Sequence, residues 1–355
     1  MLKTTHALLP NGISDLLPAE AEKEAYAVNQ LMNEFSSFGY QRVKLPLIEF
    51  EDGLFYGPGE GLERYTFRVM DAVSHKMMGV RADITPQVAR LASSRFDKDD
   101  YPLRLMYAGD VLRVKASQLR PERQFCQVGC ELIGAESVQA DIEMILLPII
   151  ALDKMGFDGL SIDITLPAFI RVLLDGEHAS DELLDALDKR DKGKILELNH
   201  PHSALIAEIM GMRGPIQSDL NALKNISCPQ SVQPDIDRLI AVVEGVINAL
   251  DDIGLSSVQL TIDPLERSVF EYHKGVSFTL FQKGARSELG RGGRYYFDSN
   301  EGQNTAIGFT LYMDSLRRII PELSEGKLAQ EVSAEMSWSE IIKLQQENKI
   351  IKRKL

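Results

Sequence analysis

The segment from Arg81 to Pro86 brings a carboxylate and a hydroxyl together at a predicted strand-to-helix junction. Asp83 and Thr85 can both accept hydrogen bonds, so as a pair they suit an ammonium group. The alternative is that both residues only stabilise the start of the helix in their own segment, without binding a ligand. Thr85 would be the N-cap of the helix that Pro86 begins, and Asp83 would interact favourably with the helix dipole. Taken alone, this segment favours the local interpretation.

A second polar group lies on the otherwise apolar strand predicted from Gln124 to Glu131. Gln127, Gly129 and Glu131 share one face of it, because side chains alternate along a strand. A polar face on such a strand must meet water, a partner or a ligand. Solvent exposure and ligand binding are equally compatible with this pattern.

The third group combines Glu271-Tyr272-His273-Lys274-Gly275 with Arg294 and Tyr295 further along the chain. Tyrosine and histidine side chains can hydrogen-bond an imidazole ring or pack against it. A core tyrosine and a surface histidine are the ordinary alternatives. Only the three groups together indicate a binding pocket.

Hydrophobic periodicity predicts the elements that must position these groups. Strands are predicted at 40–45, 65–70, 76–81, 103–114, 124–133, 160–164, 258–262, 276–281, 295–297 and 305–309. Helices are predicted from Pro18 to Gly39, from Thr85 to about Ala92, from Ser137 to about Lys154, over Leu311–Ile320 and from Ser337, with helical periodicity throughout 167–250. The glycine-rich segment Gly290–Arg294 is predicted to lie between strands. Many antiparallel strands with a few long helices indicate an α+β fold.

Composition narrows the functional classes. The chain has 355 residues, 44% of them hydrophobic, and a formal net charge of -13. This acidic balance argues against a protein that coats nucleic acid, although a local basic groove is still compatible with it. Three cysteines, Cys126, Cys130 and Cys228, are too few for a disulfide framework. Cys126 and Cys130 would lie about 13 Å apart on one strand, too far to share a metal ion.

Targeting and cofactor motifs are missing from the sequence. The N-terminus has no apolar signal core, and the longest apolar run, Met144–Leu152, contains Pro148 and is too short to span a bilayer. A cytoplasmic protein without a membrane segment is therefore predicted. Since there is neither a P-loop nor a Rossmann fingerprint, no cofactor is predicted, and no metal.

The joint order of these segments resembles histidyl-tRNA synthetase, a class II aminoacyl-tRNA synthetase, over roughly residues 8–320. The matching segments, in chain order, are Leu9–Asp15 with the helix and strand that end at Pro46, Arg81–Pro86, Tyr107–Gly134, Tyr272–Gly275 and Gly292–Tyr295. The first of these resembles the motif that forms the class II dimer interface. The resemblance implies a class II antiparallel sheet flanked by helices, with a helical insert. It also implies four parts: a core at 1–166 and 255–320, the insert at 167–254, and a short tail at 321–355.

The resemblance also implies a histidine pocket. Asp83 and Thr85 match positions that hold the histidine amino group, and Gln127 and Glu131 match the next two histidine-binding positions. His273 and Tyr295 would flank the imidazole ring.

This sequence differs from the synthetase pattern at the residues that are expected to bind the phosphates of ATP. Activation of an amino acid by ATP requires positive charge where negative charge concentrates in the transition state. Of the three arginines that the family uses, Arg113 is kept, but the second aligns with Ser268, one residue after Arg267, and the third with Ser315. The glutamate expected after Arg113 is Lys115. These losses predict a chain that does not activate histidine.

The C-terminal stretch is also unlike a synthetase. About 35 residues follow Ile320, too few to fold as an anticodon-binding domain. A chain that keeps the histidine pocket but lacks the residues for ATP and the domain for tRNA resembles the synthetase-like regulatory subunits of ATP phosphoribosyltransferase. The sequence of Gly79–Gln87, with Asp at position 83, is more similar to that family than to true synthetases.

This second resemblance implies a regulatory subunit without catalysis of its own, acting at the first step of histidine biosynthesis. Its partner would be a short-form catalytic subunit, in a hetero-octamer of four chains of each kind, and its ligand free histidine rather than tRNA. Arg113 would then face the histidine carboxylate. The alternatives are a truncated histidyl-tRNA synthetase, an enzyme that activates histidine for something other than tRNA, and a binding or scaffold protein whose pocket does not bind histidine.

Overall fold

Strands from both halves of the sequence form the main sheet, which is mixed and contains eight of the strands given below. The computed structural model describes residues 8–116, 120–174, 180–212, 214–266, 273–299, 302–320, 330–333, 335–347 and 351–354. The strands are β1 Gln41–Arg42, β2 Ile48–Phe50, β3 Phe67–Met70, β4 Met77–Val80, β5 Leu103–Leu112, β6 Gln124–Ile133, β7 Leu160–Thr165, β8 Gln259–Asp263, β9 His273–Gln282, β10 Gly290–Ser299, β11 Gly302–Tyr312, β12 Gln330–Val332 and β13 Ile351–Arg353.

Within the described residues, the main sheet has eight strands in the order β1-β5-β6-β11-β10-β9-β7-β8. The pairs from β5 to β7 are antiparallel, whereas the outer pairs β1–β5 and β7–β8 are parallel. The chain order therefore does not follow the strand order. β10 and β11, which come late in the sequence, lie next to β6 in the middle of the sheet.

Helices cover both faces of this sheet. They are α1 Pro18–Ser37, α2 Glu51–Leu54, α3 Thr85–Arg95, α4 Val138–Lys154, α5 Phe169–Leu173, α6 Asp181–Asp188, α7 Lys192–Glu197, α8 Ser203–Ile209, α9 Ile216–Asn225, α10 Gln233–Asp252, α11 Met313–Leu316 and α12 Trp338–Gln346. α1 and α4 pack on one face, where the ring of Phe35 meets that of Phe309 edge-on at 5.3 Å. α3 packs on the opposite face, with Ile84 and Val88 in a buried apolar cluster.

Local signals explain where the long helices begin. Pro18 is the first residue of α1, where its missing N–H is not needed. The side chain of Ser137 caps α4 by accepting a hydrogen bond from the N–H of Ala140 at 3.2 Å. Between β7 and β8, all the described elements are helices, α5 to α10, in the region predicted to be helical.

Three predicted elements were wrong in extent. The strand predicted at 40–45 pairs only over Gln41–Arg42. The helix predicted over Leu311–Ile320 is short, because Leu311 and Tyr312 pair with β6 and the helix spans only Met313–Leu316. The glycine-rich segment Gly290–Arg294 is not a connection between strands but the first half of β10.

The chain divides into two compact units, Met1–Ile319 and Ile320–Leu355. In the second unit, β12 pairs with β13 in parallel. α12 begins with the predicted capping box: Ser337 and Glu340 bond each other's backbone N–H groups. No helix among the described residues is long and apolar enough to cross a membrane.

Candidate functional site

The register of the four central strands brings distant segments into two rows on the face that α3 covers. Paired residues of neighbouring strands point to the same face of a sheet. One row joins Tyr107, Gly129, Thr310 and Arg291, and the next joins Glu131, Gly308 and Gly293. The N-terminal end of α3 brings Asp83 and Thr85 to the same place. Apart from Tyr107 and Gly129, these residues belong to the lining of one pocket, which consists of Asp83, Thr85, Glu131, Arg291, Gly292, Gly293, Tyr295, Gly308, Phe309, Thr310 and Tyr312.

Glu131 is the buried acid at the centre of this pocket, with only 1% of its surface exposed. Thr85 donates its hydroxyl hydrogen to one carboxylate oxygen at 2.8 Å, and Tyr295 donates to the other at 3.0 Å. Burial raises the pKa of Glu131 to about 8, and the charge of Asp83 adds to this, although the two hydroxyl donors oppose it. A cation placed beside Glu131 would favour its charged form.

Asp83 is held by three groups at the start of α3. Gln127 donates its amide N–H to Asp83 Oδ2 at 2.8 Å, and the backbone N–H of Thr85 donates to Oδ1 at 3.1 Å. The guanidinium of Arg113 lies 3.5 Å from Oδ2. Gln127 also accepts the N–H of Ile84 at 3.1 Å, so this one side chain ties α3 to β6.

The local interpretation of Thr85 was wrong. Thr85 is the first helical residue rather than the N-cap, which is Ile84, and that position has no side-chain cap. Its hydroxyl bonds Glu131 instead, 46 residues further along the chain. The solvent interpretation of the polar face on β6 was also wrong, because Gln127 and Glu131 are both buried.

The structure therefore brings together most of the predicted pocket residues. Asp83, Thr85, Gln127, Glu131 and Tyr295 form one hydrogen-bonded group, and Arg113 borders it through its contact with Asp83. The backbone of His273 is paired with that of Tyr295 across β9 and β10. The side chain of His273, like Arg267, Ser268, Glu271 and Tyr272, lies outside the described part of the chain.

Arg294 has a structural position on the other face of the sheet. It is 2% exposed and ion-paired with the fully buried Asp141 of α4 at 2.7 Å. It also donates to the carbonyl oxygen of Ala135 and to the hydroxyl of Thr305, each at 2.8 Å. The arginine of the predicted third group thus anchors α4 to the sheet, whereas its neighbour Tyr295 faces the pocket.

Several residues of the pocket were not predicted. Arg291, Gly308 and Thr310 line it together with Glu131, and Thr310 shares a hydrogen bond of 2.7 Å with Tyr107. Arg291 could have been found from its period-two spacing to Tyr295, had Gly290–Arg294 been assigned to a strand. No local signal marks Thr310, since its place follows from the pairing of β11 with β6.

The chemistry of the pocket is that of a small-ligand site with both acidic and basic side chains. Asp83 and Glu131 suit an ammonium group, and Tyr295 suits a ring with nitrogen atoms. Arg113 and Arg291 supply positive charge. Among the described residues, no group of three or more His, Cys, Asp or Glu side chains could hold a metal ion.

Comparisons with known proteins identify the family. A family model described as histidyl-tRNA synthetase matches residues 12–316. A curated ATP phosphoribosyltransferase regulatory subunit from Rhodospirillum centenum is 49% identical, over 89% of this chain and 81% of that protein. Another, from Paramagnetospirillum magneticum, is 46% identical, over 89% of this chain and 82% of that protein. This chain belongs to the family of ATP phosphoribosyltransferase regulatory subunits.

Solved structures show the same fold. An ATP phosphoribosyltransferase regulatory subunit/histidyl-tRNA synthetase from Bacillus halodurans superposes with a TM-score of 0.80 at 22% identity, covering 98% of this chain and 92% of that one. Histidyl-tRNA synthetase from Nostoc sp. PCC 7120 superposes with a TM-score of 0.76 at 17% identity, covering 98% and 86%. Both the predicted family and the predicted α+β class II fold are confirmed.

Ser315, which the resemblance to the synthetase aligns with the third phosphate-binding arginine, has a hydroxyl as its only polar group. Ser315 is buried in α11, and its Oγ lies 2.9 Å from that of Ser287. Nearby, Arg120 stacks on the ring of Tyr312 at 3.6 Å and is ion-paired with Asp314 and Glu288, each at 3.2 Å. The charge of Arg120 is thus balanced by two carboxylates of the chain itself.

Proposed function

We propose that this regulatory subunit binds free histidine in the pocket around Glu131 and transmits its occupancy to a catalytic ATP phosphoribosyltransferase subunit. The observation that carries the proposal is the buried group formed by Asp83, Thr85, Glu131 and Tyr295. Four polar side chains from α3, β6 and β10 converge on one space. A buried carboxylate with a raised pKa is costly to ionise unless a cation accompanies it.

In the proposed complex, the histidine ammonium lies between Asp83 and Glu131, with Gln127 and Thr85 completing that end. Tyr295 contacts the imidazole, together with the side chain of His273. Arg113, already beside Asp83, faces the ligand carboxylate, which is on the same carbon atom as the ammonium, and contributes positive charge there. The hydrogen bonds of Thr85 and Gln127 to the two acids support this arrangement, because they fix both acids before a ligand arrives.

The chain carries no catalysis of its own in this proposal. Phosphoryl and adenylyl chemistry needs cations at the phosphates, and Ser315 provides a hydroxyl where the synthetase pattern has an arginine. The partner is the short-form catalytic subunit, in an assembly of four chains of each kind. Pairs of the present chain associate through α1 and β1, and the whole assembly is cytoplasmic, without tRNA.

Regulation follows from differential affinity. A ligand shifts an equilibrium between two states only if it binds one of them more tightly, and the coupling acts in both directions. Without histidine, the subunit favours the active state of the catalytic chains and raises their activity. With histidine, the inhibited state is favoured, so the end product of the pathway limits its first step.

The decisive experiment is the activity of a short-form catalytic subunit, measured with and without this chain across a histidine titration. We expect the chain to raise the activity and to make it sensitive to histidine. If it does neither, the regulatory proposal fails, and histidine-dependent exchange of pyrophosphate into ATP becomes the next measurement.

Isothermal titration with histidine tests the pocket itself. We expect Glu131→Ala to abolish measurable binding. Asp185→Ala, which removes an exposed acid from α6, is the matched control and should bind as the wild type does. Unchanged affinity in the Glu131 variant would rule out this pocket.

A further inference from the structure

Arg291 occupies the pocket face of β10 in a position that the histidine-binding pattern does not include. It is paired with Thr310 of β11, two residues away from Gly293 and four from Tyr295. With side chains alternating along the strand, these residues point to the same face. Arg291, Gly293 and Tyr295 all line the pocket with Glu131.

One hydrogen-bond donor of Arg291 is unused. Its Nε is buried, and no acceptor for it is found within the described part of the chain. The terminal nitrogen has an ion pair with Glu288, 3.4 Å away. A buried donor without an acceptor is unfavourable, and in a binding site it indicates a missing ligand atom that accepts hydrogen bonds.

The other arginine of the pocket is already engaged. Arg113 donates to the carbonyl oxygen of Ala82 at 3.1 Å, lies 3.5 Å from Asp83, and stacks over the ring of Phe125 at 5.1 Å. Asp83 thus balances part of the positive charge that Arg113 brings to the ligand carboxylate in the proposed complex. A ligand anion that enters the pocket meets Arg291 as the arginine with hydrogen-bonding capacity to spare.

Glycine leaves room for the two charged side chains to approach one another. Gly293 and Gly308 are paired with each other across β10 and β11 on this face, and the Glu131 carboxylate lies over Gly308. The rows that contain Arg291 and Glu131 are separated by two residues, about 6.6 Å along the strands. Side chains from both rows can therefore contact one small molecule.

We propose that Arg291 binds the carboxylate of the amino acid in the Glu131 pocket and thereby selects an amino acid over the corresponding amine. This inference rests on the proposed histidine binding and adds a specificity-determining residue to it. On binding, the ligand carboxylate accepts hydrogen bonds from the guanidinium, including the unused Nε–H, and replaces Glu288 as the anion beside Arg291. Glu288 keeps its ion pair with Arg120. An arginine and a carboxylate can form two parallel hydrogen bonds, a geometry that lysine does not reproduce.

The test compares L-histidine with histamine, which has the ammonium and the imidazole but lacks the carboxylate. Affinities are measured by isothermal titration for the wild type, Arg291→Ala and Arg291→Lys. Arg171→Ala is the control, because Arg171 is an exposed arginine on α5. We expect the wild type and the control to bind histidine at least tenfold more tightly than histamine.

For Arg291→Ala, we expect the affinity for histidine to fall at least tenfold while that for histamine changes less than twofold. Arg291→Lys should lie between the wild type and the alanine variant. Two results would overturn the inference and leave the proposed function standing. In the first, Arg291→Ala prefers histidine over histamine as strongly as the wild type does. In the second, a variant with unchanged melting temperature loses affinity for both ligands equally. If the wild type binds neither ligand, the proposed function itself fails.

Discussion

Gly308 lies directly opposite Glu131 across β11 and β6, and its lack of a side chain provides the space that the Glu131 carboxylate occupies. A Cβ atom at position 308 would overlap Oε2 of Glu131 and lie 2.8 Å from the carbonyl oxygen of Cys130. Glycine is therefore required here by the close approach of a buried acid and not by its backbone conformation. The position of Glu131 in the pocket therefore depends on this glycine as well as on the polar residues that bond the carboxylate.

Gly308→Ala should consequently displace Glu131. Forcing an extra methyl group into a packed site costs roughly 1–3 kcal/mol of stability, and we expect the variant to lose at least tenfold in histidine affinity. Thermal denaturation and isothermal titration measure the two effects. Gly61→Ala is the control, since a Cβ there has no neighbour within 4 Å. A Gly308 variant that melts and binds like the wild type would show that Glu131 can move freely.

The raised pKa of Glu131 predicts a specific pH dependence of folding. Its pKa is about 8 in the folded chain and near the ordinary value of 4.5 when unfolded, so between these values the folded state holds the proton more tightly. This contribution to stability is present in full below pH 4.5 and is lost as the pH rises through 8, by roughly 1.4 kcal/mol for each pKa unit.

Glu131→Gln removes that titration. Measured by urea denaturation at several pH values, the stability of the wild type relative to Glu131→Gln should decrease steadily from pH 5 to pH 8. A difference that does not change with pH would contradict the raised pKa.

The sequence predicted those parts of the site that local patterns encode. Alternation along β6 placed Gln127 and Glu131 on one face, and the junction at Asp83 and Thr85 was recognised as a place for polar chemistry. Whether the face met solvent or a pocket could not be decided, because that depends on the packing of α3 against β6. This packing joins residues more than 40 positions apart.

The pocket residues that were not predicted were missed for one physical reason. Arg291 lies among three glycines, a composition typical of loops, yet β10 is flanked by β9 and β11 and forms a regular strand there. Position 292 of this strand requires glycine, because Phe278 and the backbone of Gly308 approach it too closely for a side chain. Tertiary contact, which the local sequence does not report, outweighed strand propensity.

The hydroxyl of Thr85 should matter more than the shape of its side chain. Thr85→Val keeps the branched shape but removes the hydrogen bond to Glu131. Beside a bound ammonium Glu131 is charged, and a hydrogen bond to a charged group contributes about 1.5–3 kcal/mol. We expect histidine affinity to fall about tenfold or more in Thr85→Val and to stay within about threefold of the wild type in Thr85→Ser. Titration of both variants with histidine decides the matter, and equal affinities would show that the hydroxyl does not order the acid.

The last prediction separates the structural arginine of β10 from the pocket. Asp141 is fully buried and is ion-paired with both Arg294 and Arg238. Asp141→Ala leaves the guanidinium of Arg294 buried without its partner, so we expect a loss of about 3–5 kcal/mol of stability. Asp185→Ala, which breaks the exposed pair with Lys189, should cost less than about 1 kcal/mol. Since Arg294 lies on the face opposite Glu131, any Asp141→Ala protein that remains folded should still bind histidine. Normal stability combined with lost binding would instead place Arg294 in the ligand site.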